Sequence, residues 1–550
     1  MNRHFLDPDE TFLDASNLPS FDKQQFEGQI ERPISKKTFY FFSIFFFLIG
    51  LIFLAQVFKL QLINGEALAA RGANNTLRRN SILADRGVIS DRFGQALAWN
   101  DNGRKYIDQS GFAHVLGYLS HPTVKDLELS DYNQTEWVGR DGAERIFNEQ
   151  LHGQSGVKIE EVDVTGKKHS DYLLQPAVSG ENLTLAIDAR VQGAIHRAVN
   201  NLVADGSFTG GAGVMMDIGT GEIIALTSVP EYDPNVLVSG ADQEKINSYL
   251  RDERFPFLNR AVAGLYTPGS IVKPVMATAA LSEHLISPEK KILSTGQLVV
   301  PNPYFPDQPS IFKDWKELGW VDMREAIAVS SDVYFYTIGG GFGDQAGLGI
   351  EKIDKYAKLF GLGQKTGSQF PNEAIGVIPT PAWKAANFDG ASWLLGNTYH
   401  TVIGQYGFQV NALQVVRMIA AIANGGHLVT PTVLALKPGE TSPWEEIPGL
   451  DPQALEIVRE GMRQAVTGGT IGGFNIPELN IGAKTGTAEL GTSKKFINAW
   501  VTGFFPYDNP RYAFALVLER GKRDTLVGAT HAMRQAFDWM LIHTPEYFKS

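Results

Sequence analysis

Three short peptides in this chain combine residue types that can do chemistry: Ser270-Ile271-Val272-Lys273, Ser330-Ser331-Asp332 and Lys484-Thr485-Gly486-Thr487. A serine hydroxyl is a poor nucleophile until an adjacent base takes its proton. On a helix, Lys273 lies on the same face as Ser270, one turn later. A lysine can act as that base when burial or a neighbouring cation draws its pKa towards neutrality. Ser330 is placed to relay a proton between Lys273 and a leaving amine, with Asp332 holding Lys273 or a substrate amide. Lys484 would supply positive charge for a peptide carboxylate and help depress Lys273. Thr485, Gly486 and Thr487 are small enough for a substrate backbone to lie against their strand. The backbone N–H groups of Ser270 and Thr487 would then form an oxyanion hole. In this order the three peptides read as a serine acyl-transfer site.

Each peptide alone has a plainer reading. Ser270 to Lys273 is equally a helix cap followed by a surface lysine, and Ser330 to Asp332 a cap before an amphipathic helix. Lys484 to Thr487 is equally a strand or a phosphate-binding fragment. A nucleotide loop would need Gly immediately before Lys-Thr; Ala483 precedes the lysine, so the nucleotide reading fails.

The elements around these peptides are also legible. Thr267-Pro268-Gly269 should open a helix, and Pro274 is tolerable only in a first turn. Ala212 to Met216 and Glu222 to Ser228 flank Asp217-Ile218-Gly219-Thr220-Gly221 as a hairpin, and Trp500 to Phe505 and Tyr512 to Leu518 flank a second turn at Tyr507-Asp508-Asn509-Pro510. Asn411 to Ala423 predicts a helix stopped by Asn424-Gly425-Gly426. Upstream, Leu183 to Ile187 alternates like a strand, and Asp188 caps a helix beginning near Arg190. Strands at both ends with helices between predict an α+β domain whose sheet is closed by sequence-distant pieces.

The chain has 550 residues, which predicts two or three domains. A net charge of −11 argues against nucleic-acid partners, which need a basic footprint. No cysteine is present, which removes thiol nucleophiles, thiolate metal sites and disulfides, and the eleven histidines form no ligand spacing. No metal and no organic cofactor are expected. Phe39 to Phe58 is an almost unbroken apolar run of the length a bilayer needs. Arg32, Lys36 and Lys37 precede it and only Lys59 follows closely, which favours a cytoplasmic N-terminus and an exported remainder. The expected organisation is a cytoplasmic, disordered tail (1–36), an uncleaved membrane anchor (37–59), a spacer or docking segment (60–205) and the α+β domain (206–550).

With these residues in hand, the chain resembles the class B penicillin-binding proteins, monofunctional peptidoglycan DD-transpeptidases of bacteria. Arg86-Gly87-Val88-Ile89-Ser90-Asp91-Arg92-Phe93-Gly94 is similar to the family's first pedestal motif, and Gly139 to Glu144 and Leu151-His152-Gly153 to the following ones. Asp233-Pro234-Asn235, Asn259-Arg260-Ala261, Tyr266 to Pro274 and Asn498-Ala499-Trp500 fall where the family has them. The Asp ending Ser330-Ser331-Asp332, the following Tyr334-Phe335-Tyr336 and the upstream Asp314-Trp315-Lys316 resemble elongation-type members. Departures are Ile403-Gly404-Gln405-Tyr406-Gly407 in place of Gly-Gln-Gly, Asn411-Ala412 in place of Thr-Pro, and Ala483 in place of Gly. Some elongation-type relatives carry a zinc cluster that includes a cysteine; without one, no such site is expected here.

The resemblance implies the penicillin-binding fold behind a pedestal. It implies Ser270 as the acylated nucleophile, Lys273 as its base, Ser330 as relay, and Lys484, Thr485 and Thr487 at the carboxylate and oxyanion site. It also implies stem peptides as substrates, acylation by β-lactams, and a SEDS-type glycosyltransferase and morphogenesis proteins as partners at the plasma membrane. Two other readings share part of these motifs: a β-lactam hydrolase or sensor, and a catalytically idle scaffold.

Overall fold

The computed structural model describes residues 35–69, 77–129, 132–162, 168–302, 305, 307–491 and 493–549. The expected N-terminal tail lies outside the described residues, apart from Ser35 at its end. Contacts divide the chain into two compact units: Met1–Asn80 with Lys158–Leu174, and Ser81–Val157 with Gln175–Ser550.

The first unit holds α1 (Lys36–Phe58), capped by Ser35, whose hydroxyl accepts from the Thr38 amide at 3.2 Å. Its helix continues through a π-helical turn to Ile63, and its most apolar window has a mean hydropathy of 2.5 with no side chain buried. Among the described residues nothing covers it, and a helix of this length that is apolar all round is a candidate membrane span. The unit also holds most of a small sheet in which Gly156–Val162 lies between Leu77–Ile82 and Lys168–Gln175.

In the second unit, α2 (Ala189–Ala204) precedes the hairpin β1 (Gly210–Asp217) and β2 (Ile223–Val229). Helices α3 (Lys273–Ser282), α4 (Met323–Ala328), α5 (Asp332–Gly340) and α6 (Ala412–Ala423) follow, then β3 (Gly482–Leu490), β4 (Phe496–Phe505), β5 (Tyr512–Lys522) and α7 (Ala529–His543). The strands form one antiparallel sheet in the order β2-β1-β5-β4-β3, with Gly210 opposite Glu519. Successive side chains of a strand leave on opposite faces. Met215, Ile224, Phe514 and Leu516 accordingly pack with α2 and α7, while Val214, Met216, Ala513, Ala515 and Val517 pack with α6. Both faces being covered, the strands read as nearly continuous apolar runs. α6 opens with a full capping box: Asn411 accepts from the Gln414 amide, and the Gln414 side chain accepts from the Asn411 amide.

Val191, Ile195 and Val199 of α2 are buried with Met215 and Leu516, so α2 packs on the sheet that follows it. The apolar stripe of an amphipathic helix shows that something covers it, not which sheet does.

The segment before α2 carries a buried charge cluster. Glu144 is fully buried and accepts from Arg86 Nε at 2.5 Å and Arg104 Nε at 2.7 Å, with the Tyr106 hydroxyl donating at 3.3 Å. The Gly87 amide donates to the Leu151 carbonyl at 2.8 Å. The three stretches singled out in sequence as pedestal motifs therefore meet at one place.

Candidate active site

Ser270 lies in a 3-10 turn, Gly269–Val272, that runs directly into α3, with Pro274 in the first helical turn where its missing N–H costs nothing. Two contacts fix the turn. The Gly269 amide donates to the Gly404 carbonyl at 2.9 Å, and the indole N–H of buried Trp500 on β4 donates to the Thr267 carbonyl at 3.1 Å. β3, the edge strand of the sheet, passes against this turn. A Cβ on Gly486 would stand 2.6 Å from the Pro268 carbonyl oxygen, so only glycine lets strand and turn come this close. Gly486→Val is therefore expected to force them apart and slow acylation of Ser270 about 100-fold, a typical cost of a 1 Å misplacement; stopped-flow acylation by a fluorescent penicillin measures it.

Four of the expected residues form one hydrogen-bonded network. Lys273 is fully buried, and its Nζ donates to Asp332 Oδ1 at 2.7 Å, the Ser330 carbonyl at 2.8 Å and Ser330 Oγ at 3.3 Å. Lys484, also fully buried, donates to Ser330 Oγ at 2.8 Å and to the Thr485 carbonyl at 3.0 Å. Ser330 is thus a hydroxyl shared by two amines. Its backbone is left-handed (φ 59°), an uncommon state for a residue with a side chain, stored here between α4 and α5. Thr485 is half-buried and Thr487 exposed on β3, whose outer edge has no neighbouring strand in the sheet. Among the described residues no hydrogen bond from Ser270 Oγ is formed, and the Lys273 ammonium points at the second motif.

Burial pushes the Lys484 amine well below the usual lysine range; the Lys273 cation adds to this and Asp332 opposes it. Burial also raises the Asp332 carboxyl, with the Lys273 cation pulling it back and Asp314 adding to the rise.

The capping reading of the second motif holds beside the network. Ser331 is the N-cap of α5, its hydroxyl accepting from the Tyr334 amide at 3.2 Å. Beneath it sits a residue not counted among the site residues. Asp314 Oδ2 accepts from Ser331 Oγ at 2.9 Å, Ser294 Oγ at 3.0 Å and the Val333 amide at 3.0 Å, while the Trp315 indole donates to the Val329 carbonyl at 3.1 Å. Asp314 and Trp315 hold the turn that presents Ser330. In sequence Asp314-Trp315-Lys316 reads only as a subtype feature, because a contact to Ser331 exists only in the folded chain.

Comparison with known proteins bears directly on this geometry. Residues 211–538 match the model of the penicillin-binding protein transpeptidase domain, more than half of the chain. The chain belongs to the penicillin-binding protein transpeptidase family. Residues 100–185 match the penicillin-binding protein dimerisation domain. A Haemophilus influenzae protein named peptidoglycan D,D-transpeptidase MrdA is 30% identical over 449 residues, 76% of this chain and 66% of that protein. The chain thus aligns with about two thirds of that relative's length. Among solved structures, a complex between a Penicillin-Binding Protein (PBP2) and MreC from Helicobacter pylori holds a chain 25% identical, with TM-score 0.72, covering 85% of this chain and 99% of that one. A chain of a peptidoglycan synthase complex coordinating polymerization and crosslinking is 26% identical, with TM-score 0.71, covering 92% of this chain and 98% of that one. The penicillin-binding fold and the pedestal expected from sequence are both present.

Proposed function

We propose that this chain is a membrane-anchored serine D,D-transpeptidase that cross-links the stem peptides of peptidoglycan. The observation that carries the reading is Ser330 Oγ, within hydrogen-bond reach of both Lys273 and Lys484. Lys273 makes three donations and Lys484 two, and the Ser330 hydroxyl receives one from each. A proton leaving Lys273 through Ser330 to Lys484 frees Lys273 to take the proton of Ser270. Ser270 Oγ then attacks the D-alanyl-D-alanine carbonyl, with the amides of Ser270 and Thr487 holding the oxyanion. Collapse breaks the amide bond and leaves an ester on Ser270, and the departing D-alanine takes its proton through Ser330. An acceptor amine attacks the ester, gives up its proton by the same route, and leaves the serine free and the cross-link made.

The relatives also support a place for this chain. The Helicobacter pylori protein is in complex with MreC and the other belongs to a peptidoglycan synthase complex, so a morphogenesis protein and a SEDS-type glycosyltransferase are the partners proposed, in cell-wall elongation. α1 is the proposed anchor, with its N-terminus in the cytoplasm and the second unit outside the plasma membrane.

Intact-mass spectrometry of the full chain after a fluorescent penicillin tests the reading. One stable adduct, mapped to Ser270 by peptide digestion, is the expected result. Rapid loss of the adduct with turnover of the drug would make the protein a hydrolase, and no adduct would leave a scaffold.

The raised Asp332 sets a pH dependence. Asp332 takes a proton at a higher pH than a free aspartate, about 3.9, and its ion pair with Lys273 goes with it. Acylation should therefore fall on an acid limb lying above that value, and Asp332→Asn should remove the limb. Stability runs the other way: because the folded state binds this proton more tightly, the group favours folding below the unfolded pKa, and that contribution is lost as pH rises through the folded one. Acylation rates and denaturation midpoints across pH separate the two.

A further inference from the structure

β3 does not end at the site. It runs on past Thr487 to Leu490, and β4 returns from Phe496, opposite Leu490. Beside this hairpin tip, the end of β5 completes an open cleft of about 740 Å³ lined by Lys494, Lys495, Phe496, Lys522, Arg523 and Asp524. Four cations thus meet one carboxylate there, in a chain whose net charge is −11. Glu489 on β3 pairs with Lys494 at 2.7 Å and Arg523 at 3.1 Å. The Arg523 amide donates to the Lys495 carbonyl at 3.0 Å, which ties the two walls together. Lys495 and Lys522 are exposed and form no ion pair among the described residues.

Exposed ammonium groups without partners, on a hydrogen-bonded backbone, attract carboxylates and speed their arrival. Thr487 to Leu490 spans about 10 Å at the rise of a strand, so a peptide extended along β3 past the Ser270 ester is carried towards the hairpin tip beside the cleft. The donor peptide is already attached at Ser270 when the second peptide arrives. That second peptide must bring its amine to the ester while its own carboxylates find counter-charge. We propose that this cleft binds the carboxylates of the acceptor stem peptide. The assignment rests on the transpeptidase reading and adds a second substrate subsite to it.

The test is Lys495→Glu/Lys522→Glu in the full chain in detergent. Penicillin acylation of Ser270 should stay within twofold of wild type. Cross-linking of a synthetic donor to a carboxylate-bearing acceptor tetrapeptide should fall about tenfold and lose its sensitivity to salt. Unchanged cross-linking would overturn the proposal, as would an equal fall in acylation, which would mean that the hairpin shapes the nucleophile's site. A loss seen only in phosphatidylglycerol vesicles would assign the cleft to lipid headgroups and overturn it too. If wild type is never acylated, the transpeptidase reading itself falls. Fluorescence anisotropy with a labelled tetrapeptide on the Ser270→Ala background then decides the cleft alone: tenfold weaker binding on charge reversal supports it, and equal binding overturns it.

Discussion

Ser270→Ala should abolish the penicillin adduct and lower cross-linking by at least about 10³-fold, because the proposed acyl ester forms on its Oγ and alanine has no atom to carry it. Lys273→Met should cost nearly as much. It removes the amine that bonds Ser330 and Asp332, and it leaves the Asp332 carboxylate without its partner. Because nucleophile and base act in one step, the losses should not add: the double variant should be little worse than Ser270→Ala alone. Stopped-flow acylation of the three variants checks this, with circular dichroism confirming the fold. If Lys273→Met kept a rate within tenfold of wild type, the base would have to be another group, and Lys484 would be the first to examine. Additive losses would mean that the two residues serve separate steps.

Glu144→Ala should destabilise the second unit by about 3–5 kcal/mol, the usual cost of removing one partner of a buried ion pair. Two guanidinium groups, Arg86 and Arg104, rely on this one carboxylate, and each also has a buried nitrogen without a partner among the described residues. A loss of that size is a large share of the 5–15 kcal/mol that holds an average domain together. Urea unfolding followed by tryptophan fluorescence should show an early transition in the variant. Glu144→Gln should be nearly as damaging, because it keeps the shape and removes the charge. An unchanged midpoint would mean that neighbouring carbonyls suffice to hold both arginines.

Much of this site was legible before folding. Pro268-Gly269 and Pro274 declare a turn entering a helix, because proline restricts the backbone wherever it stands, and the hairpins at 217–221 and 507–510 carry their own turn residues. Asp188 announced a helix start through local capping, which depends on residues two or three positions away. The rest rests on tertiary contacts. That Asp314 lies beneath Ser331, that Lys484 shares a hydroxyl with Lys273, and that Glu144 answers two arginines are matters of which distant segments meet. The packing partner of α2 belongs with these: α2 shows its apolar stripe in sequence, but its sheet is assembled largely from strands that come hundreds of residues later.

That sheet has a consequence for how the protein is made. Thr209, at the start of the hairpin β1–β2, bonds the Glu519 carbonyl, 310 positions further along the chain. A ribosome delivers the membrane segment first, then Ser270, and the strand with Lys484 only near the end. Until β5 is delivered, β1 has an unpaired edge and no site exists, so the nascent chain holds an open hairpin that invites wrong pairing. Closing so long a loop also makes the final docking slow compared with local folding. The enzyme would therefore acquire its nucleophile's surroundings only once β3, β4 and β5 are delivered, long after its apolar N-terminal helix. Truncation after Leu490 should yield a chain that reaches the membrane but is never labelled by penicillin.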